Sequence, residues 1–389
     1  MSKKILVIGA TGSQGIPVIT SLLEPDETGN PSPYSVRVLT RNPESKKAKV
    51  LASLSGVEVA KGARRVVPFS SYLSRQSLGP TGDFEDLATL LPAMQSCYGV
   101  FANTDTTAGG EKEEIYAAIK MFEHAHRVVG LKHFLWSSLD YGYKLGGFDP
   151  QYDAPHMTSK GIVADFLRSQ TSDPDPRGKA LTWTILTTGP YMENLGGYML
   201  GTRPTVDSAQ NGTVTAAQIR EKDTHKSEPL IFDIPTRNGH IPMISLDDLG
   251  WWSRYIFDHP PQTSGKELKV ASEWITMDEV VETFVRVTGI PAIRAKIPTE
   301  EFWSFRSSFP STRRKTFEGM YSVWRDDLLT RDMDWVTSVY PHRTTLEKWL
   351  REREWKGEWV VYRDDSESGK TRDPRWMGSE AEERLFGDV

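Results

Sequence analysis

Gly9, Gly12 and Gly15 stand between a short apolar run, Ile5-Leu6-Val7-Ile8, and a segment, Ile16 to Leu23, whose apolar residues recur at helical spacing. Glycines in a strand-to-helix turn build a cradle for phosphate. Gly9 lets the chain turn sharply off the strand, Gly12 leaves room for a pyrophosphate against the backbone, and Gly15 lets the helix lie close to the strand. The free amides and positive dipole end of that helix then face the phosphates. This predicts a dinucleotide site over Gly9, Ala10, Thr11, Gly12, Ser13, Gln14 and Gly15. The next strand, Ser35 to Thr40, ends in Arg41-Asn42-Pro43, with Lys46 and Lys47 close behind. A site for NAD carries an acid here for the ribose 2′-hydroxyl, whereas a guanidinium suits a 2′-phosphate, so NADP(H) is the expected cofactor. A solvated basic loop is the other reading of these residues. His156 and Lys160 share one face of a later helix at i, i+4.

The elements that must position these residues alternate in type. Strands are expected at Ile5–Ile8, Ser35–Thr40, Val57–Ala60, Gly99–Asn103, His133–Ser138 and Leu181–Leu186, with helices between them at Ile16–Leu23, Leu87–Gln95, Glu111–Val129 and on the segment that ends at Leu167. This is the α/β alternation of a parallel sheet. Thr104, Asp105 and Thr106 follow the fourth strand, at the edge where open α/β sheets hold ligands, and Ser138 closes the fifth. Residues 63–81, rich in Ser, Arg and Pro and bracketed by Gly62 and Gly82, read as a surface insertion; an intron translated through would look the same. Alternation weakens after residue 190. Ile241–Ile244 then reads as a strand running into the N-cap Ser245, with Asp247 and Asp248 in the first helical turn, followed by a strand at Glu267–Ala271 and a helix at Met277–Thr288 closed by Gly289. The expected domains are 1–190, 191–300, a Trp-rich extension at 301–362, and a charged, loose tail at 363–389.

Composition narrows the function. The chain has 389 residues, 38% hydrophobic and 25% charged, as expected of a globular protein. A net charge of −5 offers no electrostatic case for direct nucleic-acid or membrane binding. One cysteine, Cys97, allows no internal disulfide, and no apolar stretch is long enough for a signal segment or a membrane span, so the expected compartment is the cytoplasm or nucleus. Tyr116 and Lys120 match Y-x-x-x-K one helix too early for an active-site pair, and His124 and His126 at i, i+2 do not face one another, so no metal site is expected. The C-terminal tryptophans read as core or docking surface.

Seven segments occur in one order: G-A-T-G-S-Q-G (Gly9–Gly15), L-T-R-N-P (Leu39–Pro43), G-D-F-E-D (Gly82–Asp86), A-M-Q-S-C-Y-G-V-F (Ala93–Phe101), H-M-T-S-K-G (His156–Gly161), Y-M-E-N-L (Tyr191–Leu195) and I-P-M-I-S-L-D-D-L-G (Ile241–Gly250). With them the chain resembles the NmrA-like family, an atypical branch of the short-chain dehydrogenase/reductases. The resemblance implies a Rossmann doubly wound parallel sheet that binds NADP(H), with a smaller α/β C-terminal domain over the cleft and an aromatic-rich extension beyond it. Gly9 to Gly15 would then cradle the pyrophosphate, Arg41 would hold the 2′-phosphate, and Thr104 to Thr106 would sit near the ribose. Asp83 would belong to the same cofactor set. Lys160 would reach the nicotinamide ribose, and Tyr191, Met192, Glu193 and Asn194 would close over the nicotinamide.

The departure from the branch is at residue 156. Active short-chain reductases use a tyrosine four residues before the lysine as proton donor, with an upstream serine. Here that position is His156, while Ser138 and Lys160 are retained. Two functions follow. One is an NADPH-dependent oxidoreductase acting on a small aromatic, quinone or polyketide-like molecule, with Lys160, His156 and Ser138 as its catalytic group. The other is a non-catalytic NADP(H) redox sensor and transcriptional co-regulator that works through a protein partner.

Overall fold

The computed structural model describes residues 2–26, 28–40, 42–61, 87–104, 110–172, 181–197, 199, 229–304, 306, 311–358 and 379–386. The expected insertion at 63–81 lies outside these residues. The strands run as β1 (Lys3–Ile8), β2 (Tyr34–Thr40), β3 (Val57–Lys61), β4 (Gly99–Ala102), β5 (His133–Leu139), β6 (Thr182–Thr188), β7 (Leu230–Phe232), β8 (His240–Met243), β9 (Lys266–Lys269), β10 (Glu273–Thr276) and β11 (Ala292–Arg294). The helices used below are α1 (Gly15–Leu23), α2 (Lys46–Ala52), α3 (Leu87–Met94), α4 (Glu111–Arg127), α5 (Pro155–Arg168), α6 (Leu246–Asp258), α7 (Met277–Thr288), α8 (Ser311–Arg325), α9 (Leu346–Arg353) and α10 (Glu380–Phe386).

Seven strands form one sheet in the order β3-β2-β1-β4-β5-β6-β9, and every pairing in it is parallel. Alternate residues of the central strands feed two helical layers, which is why these strands read as continuous apolar runs. Leu6, Ile8, Val100, Phe134 and Trp136 pack with Ala117 and Phe122 of α4 and Val163 and Leu167 of α5. Ile5, Val7, Phe101 and Leu135 pack with Ile19 and Leu22 of α1 and Trp252 and Ile256 of α6. Strand order reverses between β1 and β4, so the crevice at their carboxyl ends is the natural ligand site.

The strand expected near residue 267 is β9. It adds to the edge of this sheet beside β6, well downstream of the point at which the alternation fades. A Cβ at Gly250 would lie 2.5 Å from the Pro17 carbonyl, so a glycine is what lets α6 lie against α1. Two further strand pairs, β7 with β11 and β8 with β10, carry a second core with α7 and α9. Helix α7 starts on a capping box between Thr276 and Glu279 and ends on Gly289 at φ +69°. Trp303, Trp324, Trp349 and Trp355 are all buried in this core. Within the tail expected to be loose, Glu380–Phe386 is a docked helix. Asp247 accepts from the Glu380 amide at 2.9 Å, and Lys47 on α2 pairs with Glu382 at 2.6 Å. Local composition predicted the looseness, and contacts with remote elements override it.

The segment before α9 is fixed by a buried ion pair. Arg331 places Nη2 2.7 Å from Oδ2 of Asp140, just past β5, and gives its other N–H groups to the carbonyls of Thr188, Val270 and Thr330 and to Oδ1 of Asp140. Both side chains are essentially inaccessible. Arg331→Met leaves Asp140 buried with only the half-exposed Lys269 as counter-charge. It should cost about 3–5 kcal/mol in chemical denaturation, whereas an exposed pair such as Arg351–Glu347 should cost about 1 kcal/mol or less. Equal losses at the two sites would refute the clamp.

His133 on β5 lies between the hydroxyls of Thr182 and Thr184, at 2.8 and 2.9 Å, and burial pushes its imidazole down to about 4. The unfolded chain binds this proton near pH 6.5, so stability should be complete above that pH and fall as pH drops toward 4, by about 3 kcal/mol for this residue. Melting temperatures between pH 7.5 and 4.5 should show the fall, and His133→Phe should flatten it.

Candidate active site

The site begins at the glycine turn. Gly9 has φ +81°, and a Cβ there would meet the Asn103 carbonyl at 3.0 Å. A Cβ at Gly15 would lie 2.4 Å from the Gly9 carbonyl. Gly12 differs. Among the described residues its added Cβ would meet only the Gly9 carbonyl, at 3.3 Å. Among the described residues the amides of Thr11, Ser13 and Gln14 have no acceptor, as expected at a helix start, and the first turn of α1 has no acid. The turn is therefore an open cradle of N–H donors at the positive end of a helix.

A chain of hydrogen bonds links this turn to the sheet edge. Gln14 is buried; its Oε1 accepts from Oγ of Ser137 on β5 at 2.6 Å, and its Nε2 donates to the Tyr191 hydroxyl at 2.5 Å. The Ser137 carbonyl lies 3.4 Å from Nζ of Lys160, which also donates to the Thr104 carbonyl at 3.2 Å and to Thr104 Oγ1 at 3.4 Å. Glu114 of α4 lies 3.2 Å from the same ammonium and accepts from Thr104 Oγ1 and from Ser159 Oγ. Lys160 and Glu114 are only 7% and 4% exposed, so this ion pair is screened little by solvent. The Trp136 ring lies 5.0 Å below the ammonium.

The structure thus brings Gln14, Thr104, Lys160 and Tyr191 into one network at the carboxyl ends of β4 and β5. Other expected residues are placed differently. Ser138 turns its hydroxyl to the carbonyls of Leu139 and Lys160, and Ser137 joins the network, because neighbouring strand residues face opposite ways. Met192 is core. Glu193 Oε1 accepts from the Leu246 amide at the start of α6 and from the Trp349 indole, so this carboxyl anchors α6 and α9; burial pushes it up to about 8. Asn194 lies in the short turn after Tyr191. His156 Nδ1 is enclosed without a hydrogen-bond partner among the described residues, and burial pushes the ring down to about 4, so the imidazole is neutral at physiological pH. Arg41, Asp83, Asp105 and Thr106 lie outside the described residues. No cluster among the described residues could hold a metal ion.

Ser137 and Glu114 escaped the sequence reading. Glu114 stands among Glu111 and Glu113 in the first turn of α4, where acids complement the helix dipole. Its spacing from Ala117, Ala118, Met121, Phe122 and Ala125 puts it on the buried stripe of the helix, and that was the available signal.

The profile of the NmrA-like family matches residues 1–350. The chain belongs to this family. It is 28% identical over 294 residues to an NmrA-like family domain-containing protein of Dictyostelium discoideum, covering 74% of this chain and 78% of that one. It is 27% identical over 321 residues to an NmrA-like family domain-containing oxidoreductase of Aspergillus hancockii, covering 79% and 78%. Among solved structures, NmrA, a negative transcriptional regulator in complex with NADP, superposes with a TM-score of 0.63 at 16% identity over 90% of this chain and 95% of that one. An NADPH-dependent quinone oxidoreductase of Escherichia coli superposes with a TM-score of 0.58 at 18% identity, covering 90% and 98%. At these identities the superpositions establish the fold.

The glycines of this NmrA-like chain differ in how closely the backbone surrounds them. Gly15→Ala must push the turn away from the Gly9 carbonyl and should lower stability by about 2 kcal/mol or more, while Gly12→Ala should melt within a degree or two of wild type. Comparable losses at the two positions would show that Gly12 is surrounded as closely as Gly15.

Proposed function

We propose that this NmrA-like protein binds NADP(H) at the glycine turn and is an NADPH-dependent oxidoreductase acting on a small aromatic, quinone or polyketide-like substrate. The observation that carries this reading is the network that ties the open phosphate cradle, through Gln14 and Ser137, to Lys160 and Thr104 at the switch point. The cradle fits the cofactor, since among the described residues only the Gly9 carbonyl lies within 4 Å of where a side chain at position 12 would begin. The amides of Thr11, Ser13 and Gln14 would hold the pyrophosphate, Arg41 the 2′-phosphate, and Thr104 and Lys160 the nicotinamide-side ribose. Tyr191, fixed by Gln14, would border the nicotinamide. When bound, the cofactor supplies the hydride. The protein's own task would be to place the acceptor, keep water out and supply a proton, and the Lys160 ammonium is a polar-hydrogen donor at the strand ends. The relative from Aspergillus hancockii, described as an oxidoreductase, points the same way.

One observation favours the sensor reading as well. The Lys160 ammonium is surrounded by acceptors of its own chain, and the neutral His156 stands where a reductase tyrosine would be. A protein that binds NADP(H) without turnover needs neither group free.

Fluorescence titration should show NADPH binding to wild type and none to Gly12→Val. Arg41→Ala should weaken NADPH by about ten- to a hundredfold and NADH by less than about threefold. Equal losses for the two cofactors would overturn the 2′-phosphate assignment. Single-turnover oxidation of bound NADPH by quinones, enones and aryl ketones should occur in wild type and fail in Lys160→Ala. Tight binding with no oxidation by any acceptor would favour the sensor.

A further inference from the structure

The ammonium of Lys160 has three protons and four acceptors within reach. Three of these acceptors are neutral: the carbonyls of Thr104 and Ser137 and the Thr104 hydroxyl. Among the described residues only Glu114 Oε1, at 3.2 Å, carries a formal charge. Helix α4 delivers Glu114 and α5 delivers Lys160 and Ser159, so the pair joins the two helices across the ends of β4 and β5. Glu114 is itself held by hydroxyls from both sides, Thr104 and Ser159. The other groups facing Lys160 among the described residues are the neutral His156 and the Trp136 ring. A buried charge left without its partner is strongly unfavourable.

We propose that Glu114 is the positioning residue of this site: its carboxylate holds Lys160 as a paired cation at the strand ends, so that Lys160 acts there as a directional N–H donor and not as a free positive charge. This rests on the cofactor reading above. The paired ammonium offers little net charge to a phosphate, but a hydroxyl can replace one of its weak carbonyl contacts, at 3.2–3.4 Å, without disturbing the pair. The interaction therefore selects a ribose hydroxyl or a substrate oxygen over the pyrophosphate.

Two measurements test it. In the protein without cofactor, reductive methylation of Lys160 with formaldehyde and cyanoborohydride, followed by mass spectrometry at pH 7.5, reads how firmly the ammonium is held. Glu114→Gln should speed labelling at least about tenfold, because the amine is no longer held against a carboxylate, while Ser159→Ala should change it less than about threefold. An unchanged rate in Glu114→Gln overturns the proposal. In the second measurement, NADPH affinity is followed from pH 6 to pH 10. Glu114→Gln should bind about tenfold more weakly at pH 7 and progressively worse as pH rises, with a flatter wild-type profile. Parallel profiles overturn the proposal. If Glu114→Gln does not fold, the Glu114→Gln/Lys160→Gln double variant replaces it; no greater loss of affinity than in Lys160→Gln alone supports the pairing, and a clearly greater loss overturns it. Faster labelling of Glu114→Gln in a protein whose wild type binds no NADPH would refute the cofactor reading and leave the Glu114–Lys160 pair intact.

Discussion

Helix α1 starts so near β1 that a single methyl group at position 15 would lie 2.4 Å from the Gly9 carbonyl. That distance governs what lies around it. A helix begun further away would not present its first amides at the strand end, nor bring Gln14 within 2.6 Å of Ser137 on β5. It would also lift α1 off the sheet, where Ile19 and Leu22 pack, and off α6, whose own Gly250 lies against the Pro17 carbonyl. The open cradle and the closed packing behind it are two sides of one close approach. The glycines differ in what a side chain would meet: at position 15 it would collide with the backbone of the turn, at position 9 it would be tight against the Asn103 carbonyl, and at position 12 it would touch only the Gly9 carbonyl among the described residues.

Around this approach the sheet edge carries two buried ion pairs, Lys160 with Glu114 and Arg331 with Asp140. A buried pair contributes little net stability over an apolar pair of the same shape, because desolvation offsets most of the attraction; its stronger effect is that neither partner can leave alone. Here each pair fastens a different segment to the carboxyl ends of the strands. Arg331 ties the chain after α8 to the ends of β5, β6 and β9 through Asp140, Thr188 and Val270. Asp247 and Asp248 at the start of α6 extend the arrangement, since Asp248 accepts from Thr344 and Asp247 from Arg353 and α10. The C-terminal third is thereby built into the sheet side of the molecule, and its tryptophans fill a core.

What was legible in the sequence is what depends on neighbours along the chain. Strands β1 to β6, the glycine turn, the Ser245 cap and the whole of α7 follow from periodicity, caps and turns, all signals within a few residues. The position of β9 in the main sheet, the Arg331–Asp140 clamp and the docking of α10 depend on partners between 80 and 335 residues away, and no local pattern specifies them. The same division runs through the site. Gln14, Lys160 and Tyr191 stood on motifs, and Thr104 on its place after the fourth strand. Ser137 was missed for its neighbour Ser138 because alternation fixes that the two face opposite ways without saying which way is inward. Glu114 was hidden by a good local explanation, the acidic first turn of a helix, although its spacing on the apolar stripe of α4 contradicts a solvent role.

The exchange of tyrosine for His156 then acquires a physical meaning. A tyrosine four residues before the lysine donates a proton because the neighbouring cation stabilises its phenolate. An imidazole in that place meets the opposite effect: burial above all, and to a lesser extent the positive charge of Lys160, disfavour its protonated form, and Glu114 offsets them only in part. His156 is therefore a neutral group with an enclosed Nδ1, unsuited to deliver a proton as a cation near pH 7. The consequence falls on Lys160. In a tyrosine enzyme the lysine is an accessory whose charge is directed at the phenol; here the charge is directed at a carboxylate on a different helix. With histidine in place of tyrosine, the ion pair of the site lies at the junction of α4 and α5 and not within α5 alone.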